Sequence, residues 1–333
     1  MTVRVAWALS DGRRGVENQA LGLAEAIAQL TPLKVMRQHL TLPSPWRFAP
    51  TALAPSGAAR AALERLMVDG PPPDIIIGCG RQAALATIEA RRLNPAPFRV
   101  QIQRPRAPLR LFDLVIPPAH DLLAGDNVVE IIGAPGRLTK AGVADAAASL
   151  DPAYLAAPRP RVAALIGGPG KAHAFSVADQ TAIRAALNVL AETGWTLFVT
   201  TSRRTPAAFG EELARAFGDP PHRVHVAMNG RAANPYPGVL GLVDAAFVTA
   251  DSVNMASEAA TVGLPVSVMP VSRKPFASRK LDRFHTALIE RGAAKWFDGD
   301  LTARSAPPPF DETARAAEVV LARWRAHDSW KRT

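Results

Sequence analysis

Thr249-Ala-Asp-Ser-Val-Asn-Met-Ala-Ser-Glu-Ala-Ala-Thr-Val-Gly-Leu-Pro-Val266 carries a complete strand-to-helix-to-strand transition in one stretch. The apolar run Ala245–Thr249 reads as a buried strand, and Val266–Met269 reads as the next. Between them Asp251 or Ser252 can cap a helix, because a short side-chain oxygen satisfies a free backbone N–H there. Gly263 and Pro265 stop that helix, since neither residue continues one well. Val253, Ala256 and Ala260 give it a small apolar face for a sheet, while Asn254, Glu258 and Thr261 line a polar one. A strand, a covering helix and a second strand make a βαβ unit, which implies a parallel sheet.

The alternation extends on both sides. Strands fit at Val162–Ile166, Thr196–Thr200 and Arg223–Val226, with helices at Val177–Glu192, Pro206–Phe217 and Pro235–Leu242. Further on, Lys280–Arg291 and Glu312–Arg325 read as helices. The first half repeats the plan. Its strands fit at Val3–Leu9, Leu33–Arg37, Asp74–Gly78, Arg99–Gln103, Asp113–Ile116 and Val128–Ile131, with helices at Glu17–Leu30, Ala58–Val68 and Arg81–Leu93. Asp151-Pro-Ala-Tyr-Leu-Ala-Ala-Pro-Arg-Pro160 is proline-rich and aperiodic, so the linker is expected there. The expectation is one α/β domain over 1–152, a second over 160–310, and a closing helix within 311–333.

A chain of 333 residues, 48% hydrophobic, has material for two such cores. No run approaches the roughly 18 apolar residues of a membrane-spanning helix. Met1-Thr-Val-Arg-Val-Ala-Trp7 enters a strand without a secretory core, so the expected location is cytoplasmic. The single cysteine, Cys79, excludes an internal disulfide framework and a thiolate zinc cluster. No His, Cys or Asp cluster has metal-ligand spacing. Asp298-Gly-Asp300 follows Trp296-Phe297 rather than a central strand, so no metal site is expected. The net charge of +10 points to anionic partners or to a solvated arginine-rich surface. Nucleic acid is not expected, since no stacking pattern or binding motif accompanies the charge. Arg323-Trp-Arg-Ala-His-Asp-Ser-Trp-Lys-Arg332 mixes tryptophans with cations. That pattern suits peripheral contact with an anionic membrane, or packing of Trp324 against the fold.

Open parallel sheets bind ligands beyond the carboxyl ends of their strands, so chemistry is sought in the loops there. After Thr249, the helix N-terminus at Ser252 and Asn254 suits a phosphate, and Glu258 can accept hydrogen bonds from a ribose diol. The same residues serve equally as ordinary caps and a solvated glutamate. In Ile166-Gly-Gly-Pro-Gly-Lys171, Gly167 and Gly168 allow close backbone approach and Lys171 can meet a phosphate. Ala172 stands where a Walker A loop needs Ser or Thr, and a plain tight turn explains the glycines as well. In Thr201-Ser-Arg-Arg-Thr-Pro206, Thr205 can cap a helix beginning at Pro206. Ser202, Arg203 and Arg204 then form a candidate diphosphate clamp, a solvated turn being the alternative. In Ser10-Asp-Gly-Arg-Arg-Gly-Val-Glu17, Asp11 or Glu17 can act as general base, and Glu17 also suits the first turn of a helix. His120, in Pro117-Pro-Ala-His-Asp121, is a second base candidate or a surface histidine. Ile77-Gly-Cys-Gly-Arg-Gln-Ala83 fits a dinucleotide fingerprint, but the strand after it ends without an acid.

Ser257-Glu-Ala-Ala-Thr-Val-Gly-Leu-Pro-Val266 resembles the nucleotide-sugar donor motif of GT-B glycosyltransferases, where a glutamate commonly holds the donor ribose. More specifically, the chain resembles the Elm-type mitochondrial-fission family. The likeness lies in Ser10-Asp-Gly-Arg-Arg-Gly-Val-Glu-Asn-Gln-Ala-Leu-Gly-Leu-Ala-Glu25, Thr201–Pro206, Asn234-Pro-Tyr236 and Thr249–Glu258. It implies a GT-B-like fold of two Rossmann-like domains, with mostly parallel sheets facing a central cleft. The first domain would take the acceptor, the second the donor, and the last helix would pack back on the first. It further implies a metal-independent glycosyltransferase without a cofactor, moving a sugar from a nucleotide-diphosphate donor to an acceptor hydroxyl. Donor contacts fall to Gly167, Gly168, Ser202, Arg203, Arg204, Ser252, Asn254 and Glu258, and acceptor activation to Asp11, His120 or Glu17. The basic surface suggests an anionic or lipid-linked acceptor, at the inner face of a membrane. The alternatives are a nucleotide-sugar epimerase or hydrolase, and a non-catalytic membrane-associated recruitment factor, as suggested for eukaryotic relatives.

Overall fold

Strand β1 (Arg4–Ser10) sends Ala6 and Ala8 into one apolar cluster and Val5, Trp7 and Leu9 into another. Successive side chains point to opposite faces, so both faces of its sheet are covered. The computed structural model describes residues 3–44, 56–68, 70–226, 234–301 and 306–330. The chain divides into two units, Met1–Arg137 with Glu312–Thr333, and Leu138–Asp311.

In the first unit β1 is followed by α1 (Arg14–Leu30), β2 (Leu33–His39), α2 (Ser56–Val68) and β3 (Ile75–Cys79). Then come α3 (Arg81–Glu89), β4 (Phe98–Ile102) and β5 (Leu114–Ile116). The sheet runs β2-β1-β3-β4-β5 with parallel pairing throughout. β3 is buried at every residue, whereas the edge strand β2 exposes Lys34, Arg37 and His39, charged or polar groups that discourage further pairing. Val128–Ile131 does not form the expected strand. Val128 and Ile131 make isolated bridges to Val115 and Pro118. The ladder stops because Pro117 and Pro118 have no N–H to donate.

The second unit contains α4 (Lys140–Ala148), α5 (Pro152–Leu155), β6 (Arg161–Ile166), α6 (Val177–Glu192), β7 (Thr196–Thr201) and α7 (Ala207–Phe217). It continues with β8 (Arg223–His225), α8 (Tyr236–Leu242), β9 (Ala245–Thr249), α9 (Val253–Thr261), β10 (Val266–Met269), α10 (Lys280–Glu290) and β11 (Ala294–Trp296). Its sheet is again parallel, in the order β11-β10-β9-β6-β7-β8. The change of unit comes at Arg137, ahead of the proline-rich segment where the linker was expected. The cause is α4, which lies tightly against α8. A Cβ on Gly238 would stand 2.8 Å from the Ala146 carbonyl oxygen, and one on Gly241 2.1 Å from that of Val143. Within the proline-rich segment, Asp151 caps α5 by accepting the Ala153 N–H at 2.8 Å.

The last helix, α11 (Glu312–Trp330), belongs to the first unit. Its Ala316, Ala317, Val320 and Trp324 join the cluster built by Ala20, Leu23, Ala24 and Ile27 of α1. Glu312 accepts the Ile132 N–H at 2.9 Å, and Thr313 that of Gly136 at 3.0 Å. Trp324 is 2% exposed with the Arg4 guanidinium 4.9 Å from its ring, so this tryptophan is a core residue. Residues 331–333 and the Trp330 side chain lie outside the described residues.

Candidate functional site

The strand order of the second unit reverses between β6 and β9, both buried along their whole length. The loops leaving their carboxyl ends therefore flank a topological switch point, where such sheets open a crevice. Asp251 organises this crevice. Its carboxylate accepts the Gly168 N–H at 2.9 Å, the Thr249 hydroxyl at 2.8 Å and the Arg204 Nη2 at 2.7 Å. Thr249 Oγ1 in turn accepts the Gly167 N–H at 2.8 Å. The glycines are required by these approaches. A Cβ on Gly167 would lie 2.1 Å from Asp251 Oδ2, and one on Gly168 2.1 Å from the Arg204 carbonyl oxygen.

The turn after β7 closes onto the same loop. Arg204 Nη1 donates to the Gly168 carbonyl at 2.7 Å, so this arginine binds the loop as well as Asp251. Ser202 Oγ accepts the Arg204 N–H at 3.2 Å, and Arg203 points into solvent without an ion pair among the described residues. Thr205 does not cap the helix after it. Its hydroxyl donates to the Gly167 carbonyl at 2.5 Å and accepts the Ser202 N–H at 2.9 Å, while α7 starts at Ala207 with Pro206 at its cap. The loop-to-loop bonds satisfy carbonyls that would otherwise be buried without partners, and they take precedence over the local cap.

Ser252, not Asp251, caps α9, its Oγ accepting the Met255 N–H at 3.4 Å. Beside this helix end lies a cavity of about 440 Å³ whose wall includes Ser252, Asn254, Arg204, Asp251, Lys171 and Lys280. Its charge is positive, since three cations face one carboxylate that is already bonded. The volume lies within the range of small-ligand sites. His173, 4% exposed, forms part of the floor. Burial holds its imidazole below the usual range, with the charges of Asp251 and Asp282 opposing. Underneath, His285 donates Nε2–H to the Ala250 carbonyl at 2.7 Å, and burial lowers its pKa too.

Glu258 lies one turn beyond Asn254 on α9, about 6 Å along the axis. It is half-buried, and its Oε2 accepts the Tyr236 hydroxyl at 2.6 Å. Burial raises the Glu258 pKa against the opposing Tyr236 bond. The phenol is pushed well up by burial and by the neighbouring carboxylate. One carboxylate oxygen, Oε1, is left for another donor.

In the first unit, both Asp11 oxygens accept Arg13 Nε at 3.0 Å, and the Asp11 side chain is 7% exposed. The bond to Asp11 raises the Arg13 pKa. Glu17 is held by His39 at 2.5 Å and by Arg37, so it is an ion-pair partner first. Nearby, Gln19 Oε1 accepts Gln103 Nε2 at 3.0 Å and the Cys79 thiol at 3.5 Å, a thiol whose pKa burial raises far. His120 sits in the turn Ala119–Asp121 after β5, three strands along the sheet from β1. At the usual strand spacing that separates it from Asp11 by roughly 14 Å. Asp298-Gly-Asp300 forms a turn around Lys295, which lowers the Asp298 pKa through its side-chain hydrogen bond. Among the described residues no group of His, Cys, Asp and Glu is arranged to hold a metal, and no helix is long and apolar enough to cross a membrane.

A model of the family Mitochondrial fission ELM1 matches residues 14–324. Mitochondrial fission protein ELM1 of Arabidopsis thaliana is 34% identical over 292 residues, which is 79% of this chain and 66% of that protein. The chain thus spans just under two thirds of that relative's length. The uncharacterized protein RP120 of Rickettsia prowazekii (strain Madrid E) is 26% identical, covering 94% of this chain and 97% of its own. Among solved structures, UDP-GlcNAc 2-epimerase from Methanocaldococcus jannaschii superimposes with a TM-score of 0.56 at 10% identity, over 96% of this chain and 99% of that one. The spinosyn forosaminyltransferase SpnP gives 0.51 at 13% identity, over 98% and 95%. At these identities the likeness establishes the fold, which is GT-B-like.

Proposed function

The chain is a member of the Mitochondrial fission ELM1 family, and on that footing we propose that it is a glycosyltransferase using a nucleotide-diphosphate sugar as donor. The observation that carries this reading is the Asp251 hub. It holds the Gly167–Gly168 loop and Arg204 in place beside the N-terminus of α9 and the cationic cavity. The diphosphate sits at that helix end, where backbone N–H groups and the dipole favour an anion, and Lys171 and Lys280 add charge. Glu258 takes the ribose diol through Oε1. An acceptor oxygen attacks the anomeric carbon, its proton passes to a general base, and the carbon–phosphate-oxygen bond breaks to release the nucleoside diphosphate; within the first unit Asp11 is the candidate for that base. For Asp11 to act, Arg13 swings away, which its 68% exposed side chain permits.

The reading is tested by calorimetric titration of the full chain with UDP, GDP, ADP, CMP and their sugar conjugates, using Lys171→Ala and Glu258→Gln as comparisons. One nucleotide diphosphate should bind saturably, with Lys171→Ala weakening it about tenfold. The preference for ribose over 2′-deoxyribose should vanish in Glu258→Gln. A folded chain that binds none of the panel would sink the donor reading and bring the recruitment function forward. Binding with sugar isomerisation but no transfer to any acceptor would move it to the epimerases.

A further inference from the structure

Phe276 is 105% exposed, wholly in solvent, on the segment joining β10 to α10. It occupies the third position of a turn closed by the Ala277 N–H on the Lys274 carbonyl at 3.2 Å, with Pro275 second. Its φ is +59°. A turn with proline second and a left-handed third residue asks for glycine or asparagine there, because a Cβ is crowded in that conformation. An aromatic side chain in that place costs conformational energy and buries nothing among the described residues, a combination found where function retains strain.

The turn is presented on a fixed base. Ala174 N–H donates to the Ser272 carbonyl and Lys274 N–H to the Ala172 carbonyl, each at 2.9 Å. Arg273 closes the turn with a bond to the Ala277 carbonyl at 2.8 Å and an ion pair to Asp282 at 2.9 Å. Along residues 272–283 five cations accompany that single carboxylate. Lys274 and Arg279 are exposed and have no acidic partner among the described residues.

A ring projecting from unpaired cations matches a surface whose apolar layer lies beneath an anionic one. We infer that the Phe276 turn docks on an anionic phospholipid bilayer, the ring entering the interface while Lys274 and Arg279 meet headgroup phosphates. A soluble phosphate compound would use the cations and leave the ring in water, whereas a bilayer uses both. This surface differs from the C-terminal tryptophan and arginine segment, where Trp324 is buried. Ser278, Lys280 and Leu281 of the same segment border the cavity, so docking would bring that cavity to the membrane. The inference stands independently of the glycosyltransferase reading.

The test is sedimentation of the full chain, without nucleotide, with phosphatidylcholine vesicles and with vesicles containing about one third phosphatidylserine. Binding should be confined to the acidic vesicles and weaken with salt. Phe276→Gly should lose about tenfold in affinity. It should melt no lower than the parent, since glycine suits φ +59°. Lys274→Ala and Arg279→Ala should each lose about fivefold. In Phe276→Trp the new indole should be quenched by brominated acyl chains. Absence of binding to acidic vesicles, parental affinity in Phe276→Gly, or an unquenched indole on bound protein would each overturn the inference. Phe276→Gly should bind nucleotides as the parent does, so failure of the donor reading remains separately visible.

Discussion

Arg204 reaches Asp251 at 2.7 Å in an unequal pair: the Asp251 side chain is 1% exposed and that of Arg204 42%. The buried partner is saturated by Gly168 and Thr249, while the other spans from the carboxylate to the Gly168 carbonyl. Arg204 is therefore a strut for the glycine loop before it is a clamp for a ligand. Because both residues support one loop, Asp251→Asn and Arg204→Ala should each destabilise by about 1–3 kcal/mol, the figure being kept low for the exposed guanidinium. The double variant should cost little more than the worse single one. Urea unfolding of the four proteins checks this, and simple additivity would show that the strut does not exist. Arg204→Lys should not rescue, since a lysine cannot bridge two acceptors with a planar fork.

Gly167 and Gly168 should not tolerate a methyl group. An added Cβ would stand 2.1 Å from a carboxylate oxygen in one case and 2.1 Å from a backbone oxygen in the other. Gly167→Ala and Gly168→Ala should each cost about 2–3 kcal/mol by overpacking, and on the proposed donor reading nucleotide binding should go with it. Gly57, in α2, has nothing within 4 Å of its would-be Cβ. Gly57→Ala should instead stabilise by about 0.5–1 kcal/mol through helix propensity. Thermal melts of the three proteins should therefore move in opposite directions.

These glycines were legible as a close-approach loop, but what they approach was not. The alternation of apolar runs and helical faces exposed most of the parallel sheets, because strands buried on both faces are nearly all apolar, as in Ile75–Cys79 and Ala245–Thr249. Short elements escaped. β11, Ala294-Lys-Trp296, is three residues with no period to read, and α4 has only Val143 and Ala147 buried among other small residues. Local sequence offers Thr205 as a helix cap, and Asp251 as an alternative to Ser252, because a cap is a local event. Their actual partners, Gly167 and Gly168, lie 38 and 83 positions away in the sequence. Only the strand order brings those loops together.

Burial keeps His173 and His285 below the ordinary imidazole range. The unfolded chain accepts protons at these positions below about pH 6.5, where the folded chain still refuses them. Their contribution to stability is thus complete above that pH and is lost as the pH falls toward the depressed folded values. Stability in urea should be level from about pH 7.5 to 8.5 and decline from about 6.5 to 5. His285→Gln keeps a donor near the Ala250 carbonyl and removes one titrating group, so its decline should be shallower. His222 and His225, lowered by burial as well, leave part of the slope in place. A slope identical in parent and variant would remove His285 from the account.

The last helix should be indispensable to the first unit. Trp324 is nearly fully buried against the cluster that holds Ala20, Leu23 and Ile27, and Arg4 stacks over its ring at 4.9 Å. Trp324→Ala empties that space at a cost of about 3–5 kcal/mol and adds the loss of a cation–π contact. Trp324→Phe keeps most of the volume and should recover more than half of the loss. The damage should follow the cluster rather than the sequence. Hydrogen exchange in Trp324→Ala should accelerate in β1, α1 and α11, elements separated by some 280 residues of chain. β6 and β9, which take no part in that cluster, should keep their protection. If exchange rose only within α11, the helix would be an appendage rather than part of the core, and Trp324 would be free for another surface.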